Sequence, residues 1–196
     1  MGEQHKKHSR REHLNDFHLN VAGEYVYDGA LYACQNDDAK QRRSKRAVWG
    51  MAAILTVAVA AGGCIPAPGM QNCFYVLLPY LGEFLGAASV IWALAKLGTD
   101  WSTVREYNYK KSVAVLPVRT AVTAVFSLLG IVCELIFFFV NDHAGQTFFA
   151  LLYVLLKLIA LLSVLVLRAE IMQAEWDKLP KNCLLYTSPS PRDVEE

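Results

Sequence analysis

Four ionisable residues lie inside long apolar stretches of this sequence: Glu83, Arg119, Glu134 and Lys157. Ionisable side chains are costly in the hydrocarbon of a membrane, so they occur there mainly in ion pairs, proton relays and ion pathways. Two kinds of chemistry are therefore open to this set. One is a structural ion pair that holds helices together. The other is a proton or cation relay, in which a buried carboxylate loads and releases a proton.

Depth and helical face place these residues together. Counted from the predicted outer helix ends, Glu134 lies about six residues deep, Glu83 about nine and Lys157 about ten, a spread of roughly 6 Å at about 1.5 Å per residue. With about 100° between successive residues, Arg119 and Glu134 fall within one polar arc of the third apolar stretch. The sequence therefore predicts one intramembrane ion cluster of Glu83, Glu134, Lys157 and Arg119.

The elements that carry these residues are four apolar helices. Of the 196 residues, 54% are hydrophobic and only 19% are charged, which is too apolar for an ordinary soluble domain. The apolar residues form blocks near 47–65, 74–97, 114–140 and 147–167, each long enough to cross a hydrocarbon core. These blocks are apolar all round, unlike the helices of a soluble bundle. We therefore predict an all-α fold, a four-span transmembrane helical bundle over residues 47–168.

The distribution of Lys and Arg predicts the orientation of this bundle. Loops 66–73 and 141–146 contain no Lys or Arg, whereas the other three segments outside the spans are basic. The positive-inside rule then places both termini and the middle link in the cytoplasm, as expected for a multi-pass protein of the cell membrane. The basic residues on which this depends are Lys40, Arg42, Arg43, Lys45, Arg46, Arg105, Lys110, Lys111, Arg168, Lys178 and Lys181.

Residues 1–46 form a polar, basic cytoplasmic arm. We expect a short basic helix within 5–19 and a small hairpin over 24–34 that turns at Asp28-Gly29. A lone hairpin is marginal in water, so it would lean on the membrane interface, on a partner protein or on the middle link. Four histidines in the arm are not spaced for a metal site, and a basic arm next to anionic lipid is the favoured interpretation. The lipid bilayer and a protein that meets this arm are the expected partners.

Three aromatic residues, Trp101, Tyr107 and Tyr109, lie in the middle link. Trp and Tyr are enriched where a membrane meets water, so we predict that these side chains are interfacial aromatics. An aromatic recognition surface is the alternative.

Cys64 and Cys73 bracket the first outer loop, on the side of the membrane where a disulfide can persist. A disulfide between them and a helical hairpin without one are both open. The sequence contains no Cys-x-x-Cys pair, P-loop, dinucleotide fingerprint or His-Glu-x-x-His motif. We therefore expect no metal, cofactor or nucleic acid, and we favour a non-enzymatic protein.

The chain after the fourth span has two parts. Residues 169–182 predict a charged amphipathic exit helix that ends near Pro180. Residues 183–196, "CLLYTSPSPRDVEE", resemble the translation of a transposase sequencing adaptor. This resemblance implies that the natural sequence is interrupted after about Asn182 and that the tail belongs outside the fold.

In its span count the chain resembles bacterial four-helix membrane proteins, including exporters of the small multidrug resistance family. Those exporters depend on an intramembrane Glu in the first span, whereas "AVWGMAAILTVAVAAGG" has no ionisable residue. The leading hypothesis is a non-enzymatic accessory or scaffold membrane subunit whose cytoplasmic arm meets a partner. The alternative is a small proton- or cation-coupled transporter that uses Glu83, Glu134 and Lys157.

Overall fold

The structure is a computed structural model of the chain. Residues 1–16 and the tail 183–196 lie outside the part that it describes, and so does most of the predicted arm helix. For β1, β2 and Asp38 only the backbone is described. The described residues are 17–19, 25–27, 29–98, 101–141 and 147–179.

Helices dominate the described chain, and a few short strands accompany them. In chain order the elements are β1 (Phe17–Leu19), β2 (Tyr25–Tyr27), β3 (Leu31–Cys34), α1 (Asp38–Cys64), α2 (Pro68–Asn72), α3 (Phe74–Leu97), β4 (Val104–Arg105), α4 (Glu106–Lys111), α5 (Leu116–Val140), α6 (Thr147–Met172) and β5 (Trp176–Lys178).

Four helices, α1, α3, α5 and α6, are long and apolar enough to cross a membrane. The predicted all-α fold with four spans is therefore confirmed. Helix α1 begins nine residues before the predicted span, because the basic segment that precedes the apolar block consists of good helix formers and contains no Gly or Pro. Helix α3 ends at Leu97, and the next residue, Gly98, has a φ of 70°, a value that favours glycine; its N–H donates to the Leu94 carbonyl.

The helices pack in the order α1, α6, α5, α3 around the bundle, and the seam between α1 and α3 is the least extensive. Gly82 and Gly86 of α3 face α5. A Cβ at Gly82 would lie 2.5 Å from the Phe126 ring, and one at Gly86 would lie 2.6 Å from the Thr123 hydroxyl oxygen. The small-x-x-x-small spacing of α3 is therefore used for close packing within the chain.

Large apolar side chains face outward along all four helices, whereas polar residues are found in the interior. A soluble monomer rarely exposes so extensive an apolar surface. Together with the length of the helices, this distribution is consistent with a multi-pass membrane protein. Examples of the exposed side chains are Val57, Leu85, Trp92, Val118, Phe139, Leu151 and Leu162.

A small antiparallel sheet covers one end of the bundle, and it corrects the predicted hairpin over 24–34. Strand β3 is central, with Tyr32 opposite Val104 of β4 and opposite Lys178 of β5. Strand β2 pairs instead with β1, Phe17 lying opposite Tyr27. The two strands beside Asp28-Gly29 thus belong to different sheets. Of the three surfaces considered for this segment, the middle link is the one that β3 contacts.

The predicted exit helix is also shorter than expected. Helix α6 ends at Met172, and the chain then continues into β5. The physical reason is tertiary: Trp176 packs against Trp101 of the middle link, with 5.8 Å between ring centroids, while the β5 backbone pairs with β3. Local amphipathic periodicity alone does not contain this information.

Candidate functional site: an intramembrane ion cluster

An ion pair between Glu83 of α3 and Lys157 of α6 lies in the centre of the bundle. Lys157 Nζ donates to Glu83 Oε2, and the two side chains are 3% and 0% exposed. Helices α3 and α6 are not neighbours in the bundle, so this contact crosses its centre. The pair therefore links two helices that make few other contacts with each other.

Two tyrosine rings enclose the Lys157 ammonium. Its Nζ lies 4.7 Å from the ring centroid of Tyr80 and 5.1 Å from that of Tyr153, distances at which a cation is attracted to an aromatic face. The Tyr80 hydroxyl donates to the Val59 carbonyl of α1 at 3.3 Å. On the α5 side the ammonium faces Gly130, where a Cβ would lie 3.6 Å from Nζ. All four long helices thus contribute to the surroundings of Lys157.

Glu134 of α5 is fully buried, yet neither carboxylate oxygen has a hydrogen-bond partner among the described residues. Its charge is close enough to interact with that of Lys157, but the two side chains do not form a salt bridge. The Gly69 backbone of α2 covers the carboxylate, and its N–H approaches the oxygens without meeting hydrogen-bond geometry. A Cβ at Gly69 would overlap Glu134 Oε2, so the absence of a side chain at Gly69 lets α2 close over Glu134 in its present position.

Arg119 is not part of the cluster. Its Nη1 donates to the Ser89 carbonyl of α3 at 2.6 Å, and its side chain is half-buried. Arg119 shares a helical face with Glu134, but 15 residues of α5 separate the two by about 22 Å. The predicted four-residue cluster is therefore corrected to Glu83, Glu134 and Lys157.

The cluster contains two carboxylates and one ammonium. Buried oxygen atoms without a partner in the described structure are Glu83 Oε1, both oxygens of Glu134 and the Tyr153 hydroxyl oxygen. Buried polar groups are normally hydrogen-bonded, and an unpaired buried charge is especially costly. A proton on Glu134, or a small cation between these oxygens, would neutralise the excess negative charge of the cluster. Within the described ranges, no group of three or more His, Cys, Asp or Glu side chains is placed to hold a metal ion.

Two of the three predicted interfacial aromatics, Trp101 and Tyr109, pack instead against other parts of the chain. Trp101 is 2% exposed and packs within the layer between the sheet and the bundle, so it does not face lipid headgroups. Tyr109 stacks on Tyr32 with 4.1 Å between ring centroids and also contacts Trp176. Tyr107 remains exposed, and its hydroxyl accepts a hydrogen bond from Lys111 at 2.6 Å.

Cys64 and Cys73 are both free thiols in the structure, Cys64 exposed and Cys73 half-buried. The loop between them contains the short helix α2, which begins with Pro68 at its first position. Of the two alternatives for this loop, the structure contains the helical one.

The sequence places Tyr153 on the same face of the fourth span as Lys157, but it gave Tyr153, Tyr80 and Gly69 no role in the cluster. Tyr153 lies one turn from Lys157 on α6, a spacing that was visible in the sequence. The approach of Gly69 to Glu134 depends on how α2 folds back onto the bundle, for which the sequence has no local signal. Comparison of the chain with protein-family models, characterised proteins and solved structures gives no match. Function is therefore inferred from the site alone.

Proposed function

We propose that this chain is a small membrane transporter that carries protons, in which Glu134 binds and releases the proton. The observation that carries this proposal is the fully buried Glu134 carboxylate, which has no described partner beside an ion pair that is already complete. Intramembrane carboxylates in this situation are typical of proton relays.

A purely structural role accounts for the Glu83 and Lys157 pair but not for Glu134. One carboxylate and one ammonium are enough to connect α3 with α6. Adding a second buried carboxylate leaves the cluster with one excess negative charge, which destabilises the fold unless a proton or cation neutralises it. The excess carboxylate is therefore the part of the site that supports a function in binding rather than in folding.

Buried hydroxyl groups extend from Glu134 along the interior face of α5. Ser127, Thr123 and Thr120 are all fully buried on this face. Ser127 donates to the Lys157 carbonyl at 3.3 Å, while Thr123 and Thr120 donate to carbonyls one turn earlier in their own helix. Their oxygens retain acceptor capacity. This polar face supports a route for a proton between the α2 end of the bundle and the end that carries the sheet.

An accessory or scaffold subunit is the second candidate. It is favoured by the folded layer at the sheet end, where β4 and β5 are the outer strands of a three-stranded sheet. Outer strands have backbone groups that a strand from another protein can pair with. This candidate requires no flux, so the transport experiment separates the two.

We also propose that both termini are cytoplasmic and that the chain is of bacterial type. The Lys and Arg distribution supports the orientation. In the described structure, the basic residues at the start of α1, in the link before α5 and from the end of α6 to β5 lie together at the sheet end, while α2 lies at the other end. We further propose that the lipid bilayer and a partner protein contact the N-terminal arm.

The experiment is proton flux into vesicles that contain the purified protein and a trapped pH-sensitive dye, with the membrane potential clamped. We expect an imposed pH gradient to dissipate faster with the wild-type chain than in empty vesicles, and Glu134→Gln to abolish this difference. Glu106→Gln is the matched control, because Glu106 is a carboxylate outside the bundle that pairs with Lys110. Equal flux with Glu134→Gln and the wild-type chain, or no flux with the wild-type chain, would contradict the proposal.

A further inference from the structure

Three arginines line a cleft on the first turns of α1. Arg42, Arg43 and Arg46 are exposed and, together with Ala39, surround a volume of about 480 Å³. Arg42 and Arg43 are adjacent in the sequence, and Arg46 lies four and three positions after them, so the three guanidinium groups project from neighbouring faces of one helix. The small Ala39 side chain, one turn before Arg43, leaves room for a bound group between them.

These guanidinium groups have no acidic partner in the described part of the chain. The ion pairs found there join Lys110 with Glu106 and Lys157 with Glu83. Three like charges held within two helical turns repel one another and attract an anion. The planar guanidinium fork is well suited to a phosphate group, which it can contact through two parallel hydrogen bonds.

The cleft continues into an exposed apolar track on the same helix. Gly50 lies one turn beyond Arg46, and a Cβ there would meet nothing within 4 Å. Ile54 and Val57 follow on this side and are 44% and 67% exposed. A positively charged cleft followed by an open apolar track matches an amphiphile with a phosphate head and an acyl chain.

We infer that Arg42, Arg43 and Arg46 bind the phosphate headgroup of an anionic phospholipid whose acyl chain lies along α1. A free phosphate would use the arginines but would gain nothing from the apolar track. A zwitterionic headgroup would bring a fourth cationic group to a cleft that already holds three guanidinium groups. The site is separate from the ion cluster, and its test does not depend on transport.

The test measures lipid binding to the purified chain in detergent by mass spectrometry of the intact complex. Phosphatidylglycerol is titrated against phosphatidylcholine. Each basic group near an anionic lipid contributes about 1 kcal/mol, so the triple variant Arg42→Gln, Arg43→Gln, Arg46→Gln should bind phosphatidylglycerol about 100-fold more weakly. The single variant Arg46→Gln should bind phosphatidylglycerol about fivefold more weakly. This variant provides the measurement if the triple variant does not fold.

A second triple variant provides the control for general electrostatics. Lys96, Lys111 and Lys178 are exposed basic residues outside the cleft, and changing all three to Gln removes the same charge. We expect this variant to bind phosphatidylglycerol within about threefold of the wild-type chain. An equal loss in the two triple variants, or unchanged binding when the arginines are replaced, would overturn the assignment.

Inorganic phosphate and glycerol 3-phosphate distinguish a lipid site from a free phosphate site. Both lack an acyl chain, so neither should displace phosphatidylglycerol at equal concentration. Displacement by either compound at equal concentration would overturn the lipid assignment and leave a site for soluble phosphate.

Discussion

The two carboxylates of the ion cluster should respond in opposite ways to replacement by glutamine. Glu83→Gln leaves the Lys157 ammonium buried beside a neutral amide. Lys157 is 3% exposed and Glu83 is fully buried, so water cannot replace the lost partner. Breaking a buried ion pair in this way costs about 3–5 kcal/mol. We therefore expect the free energy of unfolding to fall by about that amount.

Glu134→Gln should have little effect on stability, or should raise it. The substitution removes a buried carboxylate that has no described hydrogen-bond partner, and it keeps the side-chain shape. We expect the free energy of unfolding to stay within about 1 kcal/mol of the wild-type value, because no paired interaction is lost.

Reversible unfolding in mixed micelles, followed by circular dichroism, measures both changes. The double variant tests whether Glu134 takes the place of Glu83 as the partner of Lys157. If it does, Glu134→Gln destabilises the Glu83→Gln protein by more than it destabilises the wild-type chain. A loss in the single variant Glu134→Gln as large as that in Glu83→Gln would refute the distinction between a structural pair and an excess carboxylate.

Three further outcomes are expected. Gly69→Ala should lower the free energy of unfolding by about 1–3 kcal/mol, because its Cβ would overlap Glu134. Gly50→Ala should instead raise it by up to about 1 kcal/mol, because the space there is open and Ala is the better helix former. Chemical unfolding measures both changes, and equal effects would contradict the close approach of α2. Tyr153→Phe should stabilise the fold by up to about 1 kcal/mol in the same assay, because it removes a buried hydroxyl without a described partner, and a marked loss of stability would show that the hydroxyl has one. An impermeant maleimide added to intact cells should label the exposed Cys64, with Cys64→Ser as the control, and protection of Cys64 would place the α2 loop on the cytoplasmic side.

The sequence contained enough information for the helices and for part of the ion cluster. Apolar block length predicts a span directly, because a hydrocarbon core admits few alternatives to a helix. A constant rise per residue also made the similar depth of Glu83 and Lys157 visible. Arg119 was wrongly assigned to the cluster, because two residues on the same face of a helix can still be far apart along its axis.

The remaining features depend on contacts between distant parts of the chain. Strand β3 pairs with segments that follow α3 and α6, so the local turn at Asp28-Gly29 was a poor guide to its partner. Trp101 is buried because Trp176 returns to pack against it, and composition alone suggested an interfacial residue. The cover that Gly69 forms over Glu134 is likewise a tertiary contact.

Labelling of the chain with a membrane-soluble carbodiimide tests directly whether Glu134 binds a proton, because this reagent modifies protonated carboxyl groups in apolar surroundings. Peptide mass spectrometry then identifies the modified residue. If Glu134 binds the proton, we expect modification at Glu134 that decreases as the pH is raised, and little modification at Glu83, whose carboxylate is held by Lys157. Modification at Glu83 in preference to Glu134, or labelling of Glu134 that does not change with pH, would contradict a proton-binding role for Glu134.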